Sequence, residues 1–219
     1  MKYNTVIFDL DGTLLHTLDD LYYSTNYALE QFNFPTRTYE EVRTFVGNGV
    51  KVLIEKAVPK GKNEYVEEVL EVFKEHYKSH SMDHIYIYNG IKELISELKK
   101  MNIKIAVVTN KFHAAAEIIV EKYFKDDFLI ALGESKELNK KPHPDMCNYV
   151  LNKLGLTKEE VIYVGDSEVD ILTAKNAGLK SVSCAWGFRT KDELAEYNVK
   201  HIYDNQLDFV NRNNSQYLF

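Results

Sequence analysis

Apolar and polar positions follow two different rhythms along this chain. From Val6 to Phe8, three apolar residues in a row, two of them β-branched, read as a buried strand that Gly12 closes with a turn. The stretch after it has helical spacing. Leu18, Leu21, Ala28 and Leu29 share one face of a helix expected over 18–32, and Pro35 ends that region. Shorter helices are expected over Tyr39–Phe45 and 50–58, with Val46-Gly47-Asn48-Gly49 between them. Beyond the loop Pro59-Lys60-Gly61-Lys62, Asn63 is placed to cap a longer helix over 64–80, where Val66, Val69, Leu70, Phe73 and Tyr77 recur at helical spacing. No strand is expected in this section.

From Gly90 onward the rhythm changes. Helices are expected over 91–101, 113–123, 145–154 and 171–176, the last stopped by Gly178. Between them lie apolar runs that read as strands: 104–108 ending at Thr109-Asn110, 128–131, 161–164 ending at Gly165-Asp166-Ser167, and 181–184. Residues 133–141 form a polar loop before Pro142, weaker units follow around 200–203 and 207–211, and 211–216 is polar enough to fray. Strands alternating with helices imply a parallel sheet covered on both faces. The expected architecture is α/β: a doubly wound parallel sheet formed by 1–16 and 84–219, with an all-helical cap inserted over 17–83.

Composition narrows the class. With 45% hydrophobic and 27% charged residues, the 219-residue chain is globular, neither disordered nor membrane-like. No apolar run approaches the roughly 18 to 20 residues that span a bilayer. The first residues run straight into a strand, which leaves no room for a signal peptide. Cys147 and Cys184 are too few for a disulfide framework or a zinc site, and read as buried thiols in a reducing, cytoplasmic setting. A net charge of −6 argues against non-specific nucleic-acid binding.

The chemistry gathers at strand ends. Asp9 and Asp11 close the first strand, and in extended backbone two carboxylates at that spacing point the same way. Such a pair calls for a cation, and a hard ion such as Mg²⁺ is held by one or two carboxylates plus water and substrate phosphate. In a doubly wound sheet the carboxyl ends of the strands share one rim, where ligands bind. That rim carries Asp9, Asp11 and Thr13, then Thr109 and Asn110, then Asp166, Ser167 and Asp170, with Lys140 and Lys141 in the loop before Pro142. Singly, each has an ordinary reading: an Asp-Gly turn, a helix start at Thr-Asn, a solvated Lys-Pro loop, an N-cap at Gly-Asp-Ser. Jointly they suit a metal and a phosphoryl group. A carboxylate can attack phosphorus, while the metal and lysine neutralise the transferring oxygens.

Four stretches of this chain resemble the motifs of haloacid dehalogenase superfamily phosphatases. They are Asp9-Leu10-Asp11-Gly12-Thr13, Thr109-Asn110, Lys141-Pro142-His143-Pro144-Asp145 and Gly165-Asp166-Ser167-Glu168-Val169-Asp170. The resemblance implies that Asp9 is the nucleophile and Asp11 the general acid and base. It implies a Mg²⁺ ion held by the carboxylates of Asp9 and Asp166 and the carbonyl of Asp11, with Asp170 supporting. Thr109, Asn110 and Lys141 would bind the phosphoryl group. The acid at Asp11 is similar to the phosphoryl-transfer branch, and the dehalogenase and phosphonate-cleaving branches lack it. The sugar phosphomutase branch has a histidine early in the cap, where this chain has Leu21 and Tyr22.

The run from Val42 to Gly49 resembles the cap of phosphoglycolate phosphatases, as does Lys140-Lys141-Pro142-His143-Pro144-Asp145. The chain departs from them at His16, where an acid is common, and at Asn89, where a proline usually precedes the glycine. The resemblance implies a monomeric or homodimeric enzyme acting on a small phosphorylated metabolite. A pyrophosphatase or broad sugar-phosphate phosphatase is the nearest alternative, and a receiver-like phospho-acceptor belongs to a different class. In the cap, Gly47 and Asn48 are candidate substrate contacts, and Arg43 and Lys51 are candidate readers of a second anion. His76 and His80 have the spacing of a metal pair without a third ligand, so a solvated helix face is expected. Tyr22, Tyr23 and Tyr27 are expected to pack the cap interior and its rim.

Overall fold

The computed structural model describes residues 3–211. The chain divides into two compact units, one made of residues up to Leu14 together with those from Ile87 onward, the other of Leu15–Tyr86. Among the described residues, no helix is long and apolar enough to cross a membrane.

Strand β1 (Thr5–Phe8) begins the larger unit. The chain then leaves through β2 (Leu15–His16), whose partner β3 (Tyr86–Ile87) brings it back, a two-stranded sheet that the apolar pattern does not show. Between them lie α1 (Leu18–Gln31), α2 (Tyr39–Phe45), α3 (Val50–Ala57) and α4 (Val66–His80). Leu18, Leu21, Ala28 and Leu29 are buried on α1, which packs on α4, where Val69, Leu70 and Phe73 are buried. Thr38 starts α2 with a reciprocal cap. Its hydroxyl accepts from the Glu41 N–H at 3.2 Å, and its own N–H donates to Glu41 Oε2 at 2.8 Å. Asn63 does not cap α4. It opens a 3₁₀ turn, Asn63–Tyr65, and the α-helix begins only at Val66. Tyr23 and Tyr27 are exposed and do not pack the interior. The His76 ring accepts or shares a proton with Ser24 Oγ at 3.0 Å and stacks on Tyr27 and His80, so it faces neighbours more than solvent.

The larger unit resumes with α5 (Ile91–Lys100), β4 (Lys104–Phe112), α6 (His113–Phe124), β5 (Ile130–Glu134), α7 (Asp145–Leu154), β6 (Val161–Gly165), α8 (Glu168–Ala177), β7 (Lys180–Cys184), α9 (Lys191–Ala195) and β8 (Ile202–Tyr203). All adjacent strands run parallel, in the order β5-β4-β1-β6-β7-β8. Counted along the chain, that is the doubly wound order 3-2-1-4-5-6, whose switch point lies between β1 and β6. The sheet is apolar on both faces because both are covered. Ile7, Ala106, Val108, Val161 and Tyr163 pack with Met146, Cys147 and Val150 of α7 and Ala174 and Ala177 of α8. Val6, Phe8, Ile105 and Val107, on the opposite face by alternation, are buried as well.

Three boundaries differ from the sequence pattern. β4 continues through Thr109-Asn110-Lys111 to Phe112 where a turn was expected, and β5 reaches Glu134, inside the expected polar loop. α8 starts three residues before position 171. Ser167 and Asp170 form a capping box there, with the Ser167 N–H and hydroxyl donating to Asp170 Oδ2 at 3.1 and 2.6 Å. Of the stretch expected to fray, 212–216 lies outside the described residues.

Candidate active site

The site stands where β1, β4 and β6 end. Asp9 continues the line of β1, its N–H donating to the Val164 carbonyl at 2.9 Å. The backbone then turns sharply, with the Thr13 and Leu14 N–H groups both donating to the Leu10 carbonyl and Gly12 at φ +84°. A Cβ on Gly12 would lie 2.3 Å from Asp166 Oδ2, so this turn needs glycine for both conformation and room.

Because the strand ends before it, Asp11 does not stand beside Asp9 as extended backbone would place it. Its carboxylate pairs with Lys111, Nζ lying 3.0 and 3.3 Å from the two oxygens. The acids that do converge are Asp9, Asp166 and Asp170, all buried, each offering an oxygen within 4.8 Å of the others. Thr13 Oγ1 at 3.1 Å and the Phe188 N–H at 2.7 Å both donate to Asp166.

One lysine serves this cluster. Lys141 is buried, with Nζ 2.8 Å from Asp9 Oδ1 and 2.7 Å from Asp170 Oδ1, and it donates to the Tyr163 hydroxyl at 3.2 Å. The ammonium thus bridges the Asp9 and Asp170 carboxylates. Asn110 fixes the backbone of Lys141 from both sides. Its Oδ1 accepts from the Lys141 N–H at 2.8 Å and its Nδ2 donates to the Lys141 carbonyl at 3.0 Å. Asn110 is therefore a positioning residue for that lysine. Thr109 is buried next to it, its Oγ1 accepting from the Lys111 N–H at 3.3 Å.

The electrostatics follow from three buried acids sharing one lysine. Burial pushes the Asp9 carboxyl up to about 7, Asp170 and Asp11 adding to the rise while Lys141 opposes it. Burial, then Asp170 and Asp9, raises Asp166 well above the usual carboxylate range against the pull of the Phe188 N–H and the Thr13 hydroxyl. Burial works against the Lys141 charge, but Asp170 and Asp9 outweigh it and hold the proton more tightly than in a free lysine.

A hard cation fits this donor set: oxygen ligands only, three buried acids against one lysine, and so an excess of negative charge. Asp9, Asp166 and Asp170 each offer it an oxygen. The Asp166 oxygens also accept from Thr13 and the Phe188 N–H, and those of Asp170 from Lys141, Tyr163 and Ser167. Asp170 therefore also holds Lys141 in place.

Lys111, Tyr163 and the Phe188 N–H were not singled out from the sequence. Lys111 lies where the pairing of β4 with β5 shifts register, between Val108 and Phe112, which no local pattern announces. In the inserted unit, Gly47 (φ 115°) and Gly49 (φ 83°) bound Asn48 between α2 and α3. Arg43 pairs there with Glu40 at 2.6 Å and Lys51 with Glu67 at 2.5 Å.

Comparison with known proteins agrees with this geometry. The family model for haloacid dehalogenase-like hydrolases matches residues 6–184. Phosphoglycolate phosphatase of Haemophilus influenzae (strain 86-028NP) is 33% identical over 212 residues, 93% of this chain and 95% of that protein. The enzyme of the same name from Mannheimia succiniciproducens is 31% identical over 95% of this chain and 97% of its own. Among solved structures, a Lactobacillus delbrueckii subsp. bulgaricus protein superimposes with a TM-score of 0.89 at 34% identity, covering 94% of this chain and 96% of that one. A predicted phosphoglycolate phosphatase from Haemophilus somnus gives 0.86 at 29% identity over 96% and 97%. The chain belongs to the haloacid dehalogenase-like hydrolase family, and its relatives lie among the phosphatases of that family.

Proposed function

We propose that this protein hydrolyses a small phosphomonoester, phosphoglycolate in the first instance, through a phosphorylated Asp9. The observation that carries the reading is the buried cluster of Asp9, Asp166 and Asp170 gathered on the Lys141 ammonium, which lies 2.8 Å from Asp9 Oδ1. A carboxylate so placed can attack phosphorus, and the lysine beside it offsets charge on the transferring group.

In the first step an Asp9 oxygen bonds to phosphorus and the ester bond breaks, the departing alkoxide taking a proton from Asp11. In the second, water attacks the phosphorylated Asp9, giving its proton to Asp11, and inorganic phosphate leaves with Asp9 restored. Lys141, held by Asp170, Tyr163 and Asn110, and the Thr109 hydroxyl bind the phosphoryl oxygens. A Mg²⁺ ion held by the Asp9 and Asp166 carboxylates and the Asp11 carbonyl would supply further positive charge to the transferring group. In the inserted unit, Gly47 and Asn48 are the proposed substrate contacts. Two free, buried cysteines suit a reducing cytoplasm.

The test is phosphate release from phosphoglycolate, pyrophosphate and a panel of sugar phosphates, with and without Mg²⁺. Multiple turnovers, Mg²⁺-dependent and highest in kcat/KM for phosphoglycolate, are expected. A stoichiometric burst with no turnover would instead identify a phospho-acceptor, and a higher kcat/KM on pyrophosphate would reassign the substrate.

A further inference from the structure

We propose that Lys111 reads a second anion on the substrate, a carboxylate carried by the leaving group one methylene from the scissile oxygen. This rests on the phosphoglycolate reading above and says which residue enforces it.

The two lysines of the site divide the work. Lys141 lies against Asp9 and Asp170, beside the nucleophile. Lys111 lies against Asp11, with Nζ 3.0 and 3.3 Å from its two oxygens. Asp11 is the group that serves the departing oxygen, so a cation in contact with Asp11 stands on the leaving-group side. It is also nearly buried, only 8% exposed, where an ammonium interacts strongly with any charge brought close.

Substrate chemistry makes use of that position. In phosphoglycolate a single methylene separates the ester oxygen from the carboxylate. Once that oxygen meets Asp11, the carboxylate must lie close to Asp11 as well, within reach of the ammonium that Asp11 holds. That ammonium can then pair with the substrate carboxylate. A leaving group with a hydroxymethyl in place of the carboxylate gains nothing from it. Arg43 and Lys51, the basic residues of the inserted unit considered from the sequence, are already paired with Glu40 and Glu67.

The experiment compares kcat/KM for phosphoglycolate and for 2-hydroxyethyl phosphate, which has the same skeleton without the carboxylate. The enzymes are wild type, Lys111→Gln, Lys111→Arg, Arg43→Ala and Lys51→Ala. Wild type is expected to favour phosphoglycolate. Lys111→Gln should slow both substrates through the loss of the Asp11 partner, and lose roughly 10- to 100-fold more on phosphoglycolate than on the neutral ester. Lys111→Arg, which keeps the charge, should retain most of the preference. Inhibition by glycolate, measured against ethylene glycol, gives a readout without chemistry, and Lys111→Gln should relieve it.

Equal losses on both substrates would mean that Lys111 only positions Asp11, and would overturn the inference. So would a selective loss confined to Arg43→Ala or Lys51→Ala. A wild type with no preference between the two substrates fails at an earlier point, refuting the phosphoglycolate reading and this inference with it.

Discussion

Replacing Asp9 with asparagine should abolish turnover and yet stabilise the metal-free fold, by an amount that depends on pH. Burial raises the Asp9 carboxyl from 3.8 to about 7, with Asp170 adding to the rise and Lys141 opposing it. The folded state therefore holds this proton more tightly than the unfolded chain does. Its contribution is favourable below the unfolded value and is lost as pH rises through the folded one. Above pH 7 the ionised group makes folding less favourable by a few kcal/mol, and at pH 5 by less than half of that. Asparagine stands in for the neutral acid and escapes both penalties.

Urea denaturation in EDTA at pH 5 and pH 8 measures this. Trp186, the only tryptophan, reports on the larger unit, where its Nε1–H donates to the Thr13 carbonyl at 2.9 Å. The stabilisation of Asp9→Asn over wild type should be greater at pH 8 than at pH 5, by on the order of 2 kcal/mol. A variant less stable than wild type at pH 8, or a gain that does not change with pH, would refute the electrostatic account. Separately, phosphate release within tenfold of wild type, a barrier change of only about 1.4 kcal/mol, would exclude Asp9 as nucleophile.

Asp11→Asn should slow hydrolysis of an alkyl phosphate far more than that of a nitrophenyl phosphate, whose leaving group needs no proton; equal losses would contradict the acid role. Wild type should gain about 2.7 kcal/mol of stability at a Mg²⁺ concentration 100 times the Kd, and Asp166→Asn should show no such gain in the same denaturation assay. Gly12→Ala forces a Cβ to within 2.3 Å of Asp166 Oδ2 at φ +84°, so it should lower activity at least tenfold and raise the Mg²⁺ requirement. Gly155→Ala, at φ +65° with nothing within 4 Å, should share the backbone strain of about 1 kcal/mol and leave kcat/KM unchanged.

Much of the fold was legible in the chain because local physics and tertiary packing agree there. Strands buried on both faces must be apolar throughout, so the runs around Ile7, Val107 and Ile162 announce a parallel sheet before any contact is known. The helices α1 to α4 show their period because each buries only one stripe. The acids, threonine and lysine at the strand ends were legible for a related reason: charged residues directly after buried strands have few structural uses.

Tertiary structure decided what depends on partners distant in sequence. No local rule says that β4 runs on to Phe112; pairing with β5 does, with Phe112 opposite Glu134. That extension faces Lys111 to Asp11, 100 residues away. Asp9 and Asp11 look alike in sequence, but the turn that starts at Leu10 leaves Asp9 with Asp166 and Asp170, and Asp11 with Lys111. Asn110 and Asp170, 31 and 29 residues from Lys141 along the chain, hold its backbone and its ammonium. Which polar group meets a ligand and which supports it is a question of where hydrogen-bond capacity is left over. That is set by the whole fold, and no single stretch of chain contains it.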